Sequence, residues 1–212
     1  MITLHHLSSS RSQRIVWLLE ELGAPYTIKY YERDDTLRTA PASLRAIHPL
    51  GKSPVISDGD LVVAESGLIA EYLCDRFPEH RLAPAKSFGV NSAERLRWAY
   101  WIYYAEGSPM APLLLHLLLA PIDAPALAPL KEGFIKRELT NHIAYWEETL
   151  AETGWFSGNA FSAADVMMAY PLEAAARLKL ISDRPSITSF LDRVRSRDAY
   201  VRALTRGEDG FA

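Results

Sequence analysis

Two hydrophobic rhythms divide the chain. Ile2–Leu7 is a short strand-like run, after which Ile15, Leu18, Leu19 and Leu22 recur at the spacing of one helix face. Gly23 follows where a C-cap glycine belongs, and Tyr26–Tyr31 reads as a second strand. A strand–helix–strand crossover makes these two strands parallel and right-handed. Beyond the polar stretch Arg33–Ala40, a short helix over Ala42–Ile47 stops where Pro49 forces His48 out of helical geometry. Pro54 stands between a turn and the apolar Val55-Ile56, a place where proline opens an edge strand or takes the cis form. Asp58-Gly59-Asp60 supplies a tight turn, with Leu61-Val62-Val63 as the partner strand. Ser66 then caps a helix carrying Leu68, Ile69, Tyr72 and Leu73, which Phe77-Pro78 breaks. The order is that of a small α/β unit.

The charged stretch Glu79–Gly89 reads as a linker, and the pattern after it is helical throughout. Asn91 and Glu94 suggest a capping box for a helix with Leu96, Tyr100 and Tyr103 on one face. Gly107, Pro109 and Pro112 interrupt it before the Leu113–Leu119 run. Pro121–Pro129 is a connection, Leu130–Leu150 a further helix, and Gly154–Gly158 a turn. Ser162 with Asp165 forms a capping box, with Phe161 stapled onto Val166, and Pro185 starts a helix carrying Ile187, Phe190, Leu191 and Val194. The expected division is residues 1–78, a linker 79–90, and an all-helical bundle 91–212.

Composition narrows the function classes. A net charge of −3 argues against an obligate nucleic-acid partner. Cys74 is the single cysteine, so no intramolecular disulfide can form and a reducing compartment is expected. The chain begins directly with strand-like residues and lacks a signal-peptide pattern. Leu113–Leu119 is far shorter than the roughly 18 residues needed to span a bilayer. A cytoplasmic protein with no membrane partner is the expectation.

The chemistry gathers at Glu65-Ser66. A helix starting at Ser66 turns unbonded N–H groups toward a neighbouring anion, and Glu65 offers a negative charge to an ammonium. Together they suit the head group of an amino acid. The stretch GKSPVISDGDLVVAESG resembles the glutathione-site half of a cytosolic glutathione transferase. SSSRSQRIVWLLEELGAPYTIKYYERD resembles that family's first strand–helix–strand unit, and FSAADVMMAYPL its helix-start motif in the C-terminal domain. The spelling is nearest to a serine-type bacterial and fungal branch.

The resemblance implies a thioredoxin-like N-terminal domain followed by an all-α domain that walls the acceptor substrate. It implies a cis peptide before Pro54, with the Ser53 backbone facing the extended tripeptide as an added strand would. Glu65 and Ser66 would hold the γ-glutamyl end, and Lys52 the glycine carboxylate. The activity implied is conjugation of the glutathione thiolate to a hydrophobic electrophile, without a metal, in a homodimer whose N-terminal domain packs on the partner's helical domain.

A thiol titrates near ~8.5, so lowering it by two units takes about 2.7 kcal/mol of preferential thiolate stabilisation. A hydroxyl donor at a helix N-terminus supplies energy of that order. Ser8, Ser9, Ser10 and Ser12 are candidates, and family spacing relative to Arg14 selects Ser10, with Ser9 beside it. Ser10 and Gln13 also fit a capping box, a role compatible with catalysis. Arg11 tunes the thiolate or is a surface arginine. Tyr104 and Ser108 are the acceptor-site candidates among aromatics otherwise expected in the bundle core. Cys74 reads as a core filler, while His5 and His6 point to opposite strand faces and His48 and His116 lack ligand-spaced partners. Disulfide reduction or peroxidase chemistry from the same thiolate, or a non-catalytic binding module, are the alternatives.

Overall fold

Ile2–Leu7 forms the central strand β1, because its side chains are buried on both faces in the way a covered strand requires. The computed structural model describes residues 1–34, 36, 39–85 and 91–207. Helix α1 (Gln13–Glu21) follows, its Ile15, Leu18 and Leu19 fully buried together with Leu22. Gly23 at φ +52° reverses the chain into β2 (Tyr26–Tyr31), which pairs parallel to β1 with Ile2 opposite Tyr26. Helix α2 covers only Ala42–Arg45, although backbone bonds from Ala46, Ile47 and His48 continue the turn. Of the expected loop Arg33–Ala40, residues 35, 37 and 38 lie outside the described residues.

Strands β3 (Val55–Asp58) and β4 (Leu61–Ala64) make the expected two-residue hairpin, with Gly59 at φ +61°. β3 runs antiparallel to β1, giving a four-stranded mixed sheet in the order β2-β1-β3-β4. Helix α3 (Ser66–Arg76) ends before Phe77, and Pro78–His80 makes a single 3₁₀ turn. Residues 86–90 of the expected linker lie outside the described residues.

The helical part departs from the expected pattern at several points. Ser92, not Asn91, caps α4 (Ala93–Gly107) and accepts from the Arg95 N–H; the expected Asn91–Glu94 box is not formed. Leu96, Tyr100 and Tyr103 do share a face, but that face is exposed, while Trp98, Trp101 and Ile102 carry the burial. Helix α5 (Met110–Leu119) begins after Pro109. Pro129–Ile135 is wound as a π-helix before α6 (Lys136–Thr153), where a plain helix from Leu130 was expected. Helix α7 (Ala163–Arg177) is buried nearly all round, as an apolar central helix must be. Helix α8 (Pro185–Arg195) is capped from outside, because Glu147 accepts from the Ser186 and Ile187 N–H groups at 2.9 and 3.1 Å.

The closing helix α9 (Asp198–Gly207) was not anticipated as a separate element. It packs on α1: Arg197 grips Glu21 at 2.6 and 2.8 Å, and Trp17 meets Tyr200 edge-on at 5.1 Å. The chain accordingly forms two compact units, Met1–Ala85 with Arg195–Ala212, and Lys86–Val194. No helix among the described residues is long and apolar enough to cross a membrane.

The Ser162–Asp165 capping box is present as the spacing predicts. Fully buried Asp165 accepts from the Phe156 and Ser162 N–H groups, each at 2.8 Å, and burial pushes its carboxyl up to about 7. Phe161 rests edge-on against Trp155 just before α7. Replacing Asp165 with Asn puts an amide donor against one of two N–H donors. Chemical denaturation will report a stability loss of about 2–4 kcal/mol for Asp165→Asn, and an unchanged midpoint will refute this role.

Candidate active site

The site is assembled where β1 ends. The loop after Leu7 turns through Ser9, which sits at φ +48°, and Arg33 fixes it by donating to the Ser8 and Ser9 carbonyls at 3.0 and 3.3 Å. Ser10 is half-buried here. Its Oγ accepts from the Ser12 N–H at 3.2 Å and lies 2.7 Å from Ser12 Oγ. The Ser10–Gln13 capping box is not formed. Ser12 is the N-cap of α1, without a side-chain cap, and Gln13 instead donates across to the Ala203 carbonyl at 2.7 Å. Arg11 is half-buried beside this loop.

The second wall is the turn into β3. Gly51 at φ +57° packs against Arg45, where an added Cβ would meet Cγ at 2.7 Å, so only glycine fits before Lys52. Lys52 itself is exposed. The Ser53–Pro54 peptide is cis. Ser53 is pinned to β1 through its side chain, which donates to the His5 carbonyl at 2.8 Å and accepts from the Leu7 N–H at 3.3 Å.

The third wall is the start of α3. Glu65, not Ser66, is its N-cap, and it is exposed at φ +71° and ψ 121°, a region rarely open to a residue with a Cβ. Ser66 is therefore not the helix cap. It is buried, and its Oγ accepts from Arg14 Nη2 at 3.1 Å. Arg14 is only 1% exposed, so α1 holds a guanidinium beneath the N-terminus of α3. A positive charge and the first-turn N–H groups together favour an anion over Ser66. Ser10 is thus linked to Ser53 through Ser12 and Leu7 at the end of β1, while Arg14 of α1 holds Ser66, the neighbour of Glu65.

Tyr104 and Ser108 belong to the helical unit. Tyr104 is buried, its hydroxyl bonded to His142 Nδ1 at 2.5 Å and accepting from Trp146 Nε1 at 3.2 Å. That burial raises the Tyr104 phenol and lowers the His142 imidazole from their ordinary values. Ser108 is the half-buried C-cap of α4. Tyr100 and Tyr103, in contrast, are exposed rather than core.

His5 is a satisfied core histidine, its ring nitrogens 2.9 Å from Tyr31 and Ser57, with a pKa lowered by burial and then by Lys29. Cys74 is buried. Among the described residues, no group of three or more His, Cys, Asp or Glu is placed to hold a metal ion. In the sequence Arg14 is only a spacing landmark; Ser12 is one of four candidate serines that the spacing does not select, and His6 is discounted as a metal ligand. The one signal for Arg14 was its place inside an otherwise apolar helix stripe.

Residues 8–76 match the glutathione S-transferase N-terminal domain, and residues 120–200 the C-terminal domain of the same family. Glutathione S-transferase 3 of Schizosaccharomyces pombe is 33% identical over 88% of this chain and 85% of its own length. Glutathione S-transferase 1 of Saccharomyces cerevisiae is 29% identical over 94% and 92%. A crystal structure of a glutathione S-transferase from Actinobacillus pleuropneumoniae has a TM-score of 0.83 at 33% identity, covering 100% of this chain and 94% of that one. A sphingomonad enzyme complexed with glutathione shares the fold, with a TM-score of 0.77 at 23% identity over 97% and 98% of the two chains.

The Glu65 backbone yields a test independent of any ligand. A positive φ with this ψ costs a non-glycine residue on the order of 1–3 kcal/mol, partly offset by glycine's greater unfolded freedom. Glu65→Gly will therefore be about 1 kcal/mol more stable than Glu65→Ala in denaturant unfolding. Equal midpoints will show that the backbone there is unstrained.

Proposed function

Since this chain belongs to the glutathione S-transferase family and is a glutathione transferase by homology, we propose that it activates glutathione at Ser10 and conjugates it to a hydrophobic electrophile. The observation that carries the reading is the Arg14–Ser66 contact beside the strained Glu65. It supports a seat for an α-carboxylate over Ser66 and for an α-ammonium at Glu65, the head group of the γ-glutamyl end. Lys52 is exposed and free to reach the glycine carboxylate, while Ser53 and Pro54 flank the tripeptide backbone.

The sulfur then lies toward the β1–α1 loop. Only the thiolate attacks, and a hydroxyl that donates to sulfur favours the ionised form. Ser10 takes that role, Ser9 is the neighbouring hydroxyl, and Arg11 contributes positive potential. The thiolate attacks the electrophilic carbon, a C–S bond forms, and the displaced group leaves with the electron pair. Tyr104 and Ser108 are one helical turn apart and stay assigned to the acceptor wall. Because the Tyr104 hydroxyl is engaged by His142 and Trp146, its contribution is packing.

A homodimer belongs to the same reading. Leu61, Val62 and Leu68 are exposed in the first unit, and Leu96, Tyr100 and Tyr103 form an exposed stripe on α4. Apolar patches of this kind support an isologous pair in which one chain's first unit covers the partner's α4. Light scattering at micromolar concentration will give twice the mass of one chain, and Tyr103→Lys will shift it toward the monomer. A wild-type monomer contradicts the assembly.

Ser10→Ala will raise the thiol pKa of bound glutathione by about one to two units. The thiolate fraction then falls up to ~100-fold at a pH well below that pKa. Affinity for an S-alkyl glutathione, which has no ionisable thiol, will hold. Ser9→Ala is the control, since Ser9 is exposed and turned by its positive φ. An unshifted thiol titration in Ser10→Ala will remove the serine from the mechanism.

A further inference from the structure

Behind Ser10 lies a line of polar atoms. Ser12 Oγ is 2.7 Å from Ser10 Oγ and 2.9 Å from His6 Nδ1, with the Leu7 carbonyl at a longer 3.5 Å. Ser12 is fully buried and His6 is 2% exposed, so water is excluded from both inner members. The His6 ring is held edge-on by Tyr30 at 5.7 Å, and the Tyr30 hydroxyl donates to the Arg206 carbonyl at the end of α9.

Each hydroxyl carries one proton, so two proton orders run along the whole line, and in both Ser12 gives up its longer bond to the Leu7 carbonyl. In the inward order Ser10 donates to Ser12, Ser12 donates to His6 Nδ1, and the histidine proton sits on Nε2. Ser10 then has no proton for a sulfur. In the outward order His6 Nδ1–H donates to Ser12 and Ser12 donates to Ser10. Ser10 already accepts the Ser12 backbone N–H, so both its acceptor sites are filled and its own proton points outward.

We propose that His6 and Ser12 are positioning residues that hold this outward order, so that the Ser10 hydroxyl donates to the glutathione thiolate. Resting on the thiolate role of Ser10, this names what makes that serine a donor. Every donor in the line polarises the next, in surroundings of low dielectric where such chains strengthen one another. His6 stays neutral, with its ring proton on Nδ1, and no proton passes along the line. The thiol proton leaves to solvent as it would from free glutathione.

The line explains two features of the sequence together. Serines at 10 and 12 span a turn that brings both hydroxyls to one side. His6, near the end of β1, meets Ser12 there.

The test is a set of variants read by ultraviolet titration of the bound thiol. Ser12→Ala and His6→Leu will each raise the thiol pKa, lowering the neutral-pH thiolate fraction about three- to tenfold. S-methylglutathione affinity will stay unchanged. His6→Asn, whose amide N–H replaces the ring Nδ1–H, will restore most of the loss, which a merely structural role would not predict. On the unmodified protein, ¹⁵N NMR of His6 will show the proton on Nδ1 in the glutathione complex above the thiol pKa. His6 holding its proton on Nε2 there overturns the relay, as does an unshifted titration in Ser12→Ala. Should Ser10→Ala shift the titration while Ser12→Ala and His6→Leu do not, only the relay falls. Should Ser10→Ala also fail, the role of the serine falls with it.

Discussion

A guanidinium taken out of water must meet acceptors, because an unpartnered buried charge is among the costliest features a fold can carry. Arg14 meets that demand from inside α1 by reaching Ser66 at the start of α3. The contact fixes the rotation of α1 against the N-terminus of α3. With that rotation set, Ile15, Leu18 and Leu19 face the sheet, and Ser10 and Ser12 stand at the end of β1. Glu65 is then held in a backbone conformation it would not choose alone. A hydrogen bond to a charged group is commonly worth about 1.5–3 kcal/mol, a large share of a domain's net stability.

The same α1 is clamped from its other side. Glu20 binds Arg202 of α9, Glu21 binds Arg197 just before that helix, and Gln13 donates to the Ala203 carbonyl. An added Cβ at Gly207 would meet the Gln13 amide, which would have to give up its place beside the Ala203 carbonyl. The last helix thereby bears on the helix that carries Ser12 and Arg14. The exposed surface pairs among these are worth little individually, while the buried Gln13 bond and the Trp17–Tyr200 contact hold the register.

Periodicity and turn chemistry made most of the architecture legible. The apolar stripe of α1, the Asp-Gly-Asp hairpin and the Ser162–Asp165 box are local signals, each satisfied by neighbours in the chain. What escaped was decided by distant partners. Ser66 looked like a cap because its spelling is that of a cap, yet its hydroxyl is drawn to Arg14, fifty-two positions away. Gln13 left its expected box for Ala203 for the same reason. Leu96, Tyr100 and Tyr103 have helical spacing but face outward, since spacing identifies a face without saying what covers it. Ser10, Glu65 and Ser66 enter as candidates through motif resemblance, whereas the contact of His6 with Ser12 depends on turn geometry that no spacing rule encodes.

The central claim is that Glu65 and Ser66 seat the amino-acid head of glutathione. Calorimetry on a cycle pairing Glu65→Ala with a glutathione analogue lacking the α-amino group isolates that contact. If Glu65 meets the ammonium, either change alone will weaken binding, and the two together will cost little more than one, leaving a coupling of about 2 kcal/mol or more. Simple additivity of the two losses will contradict the account.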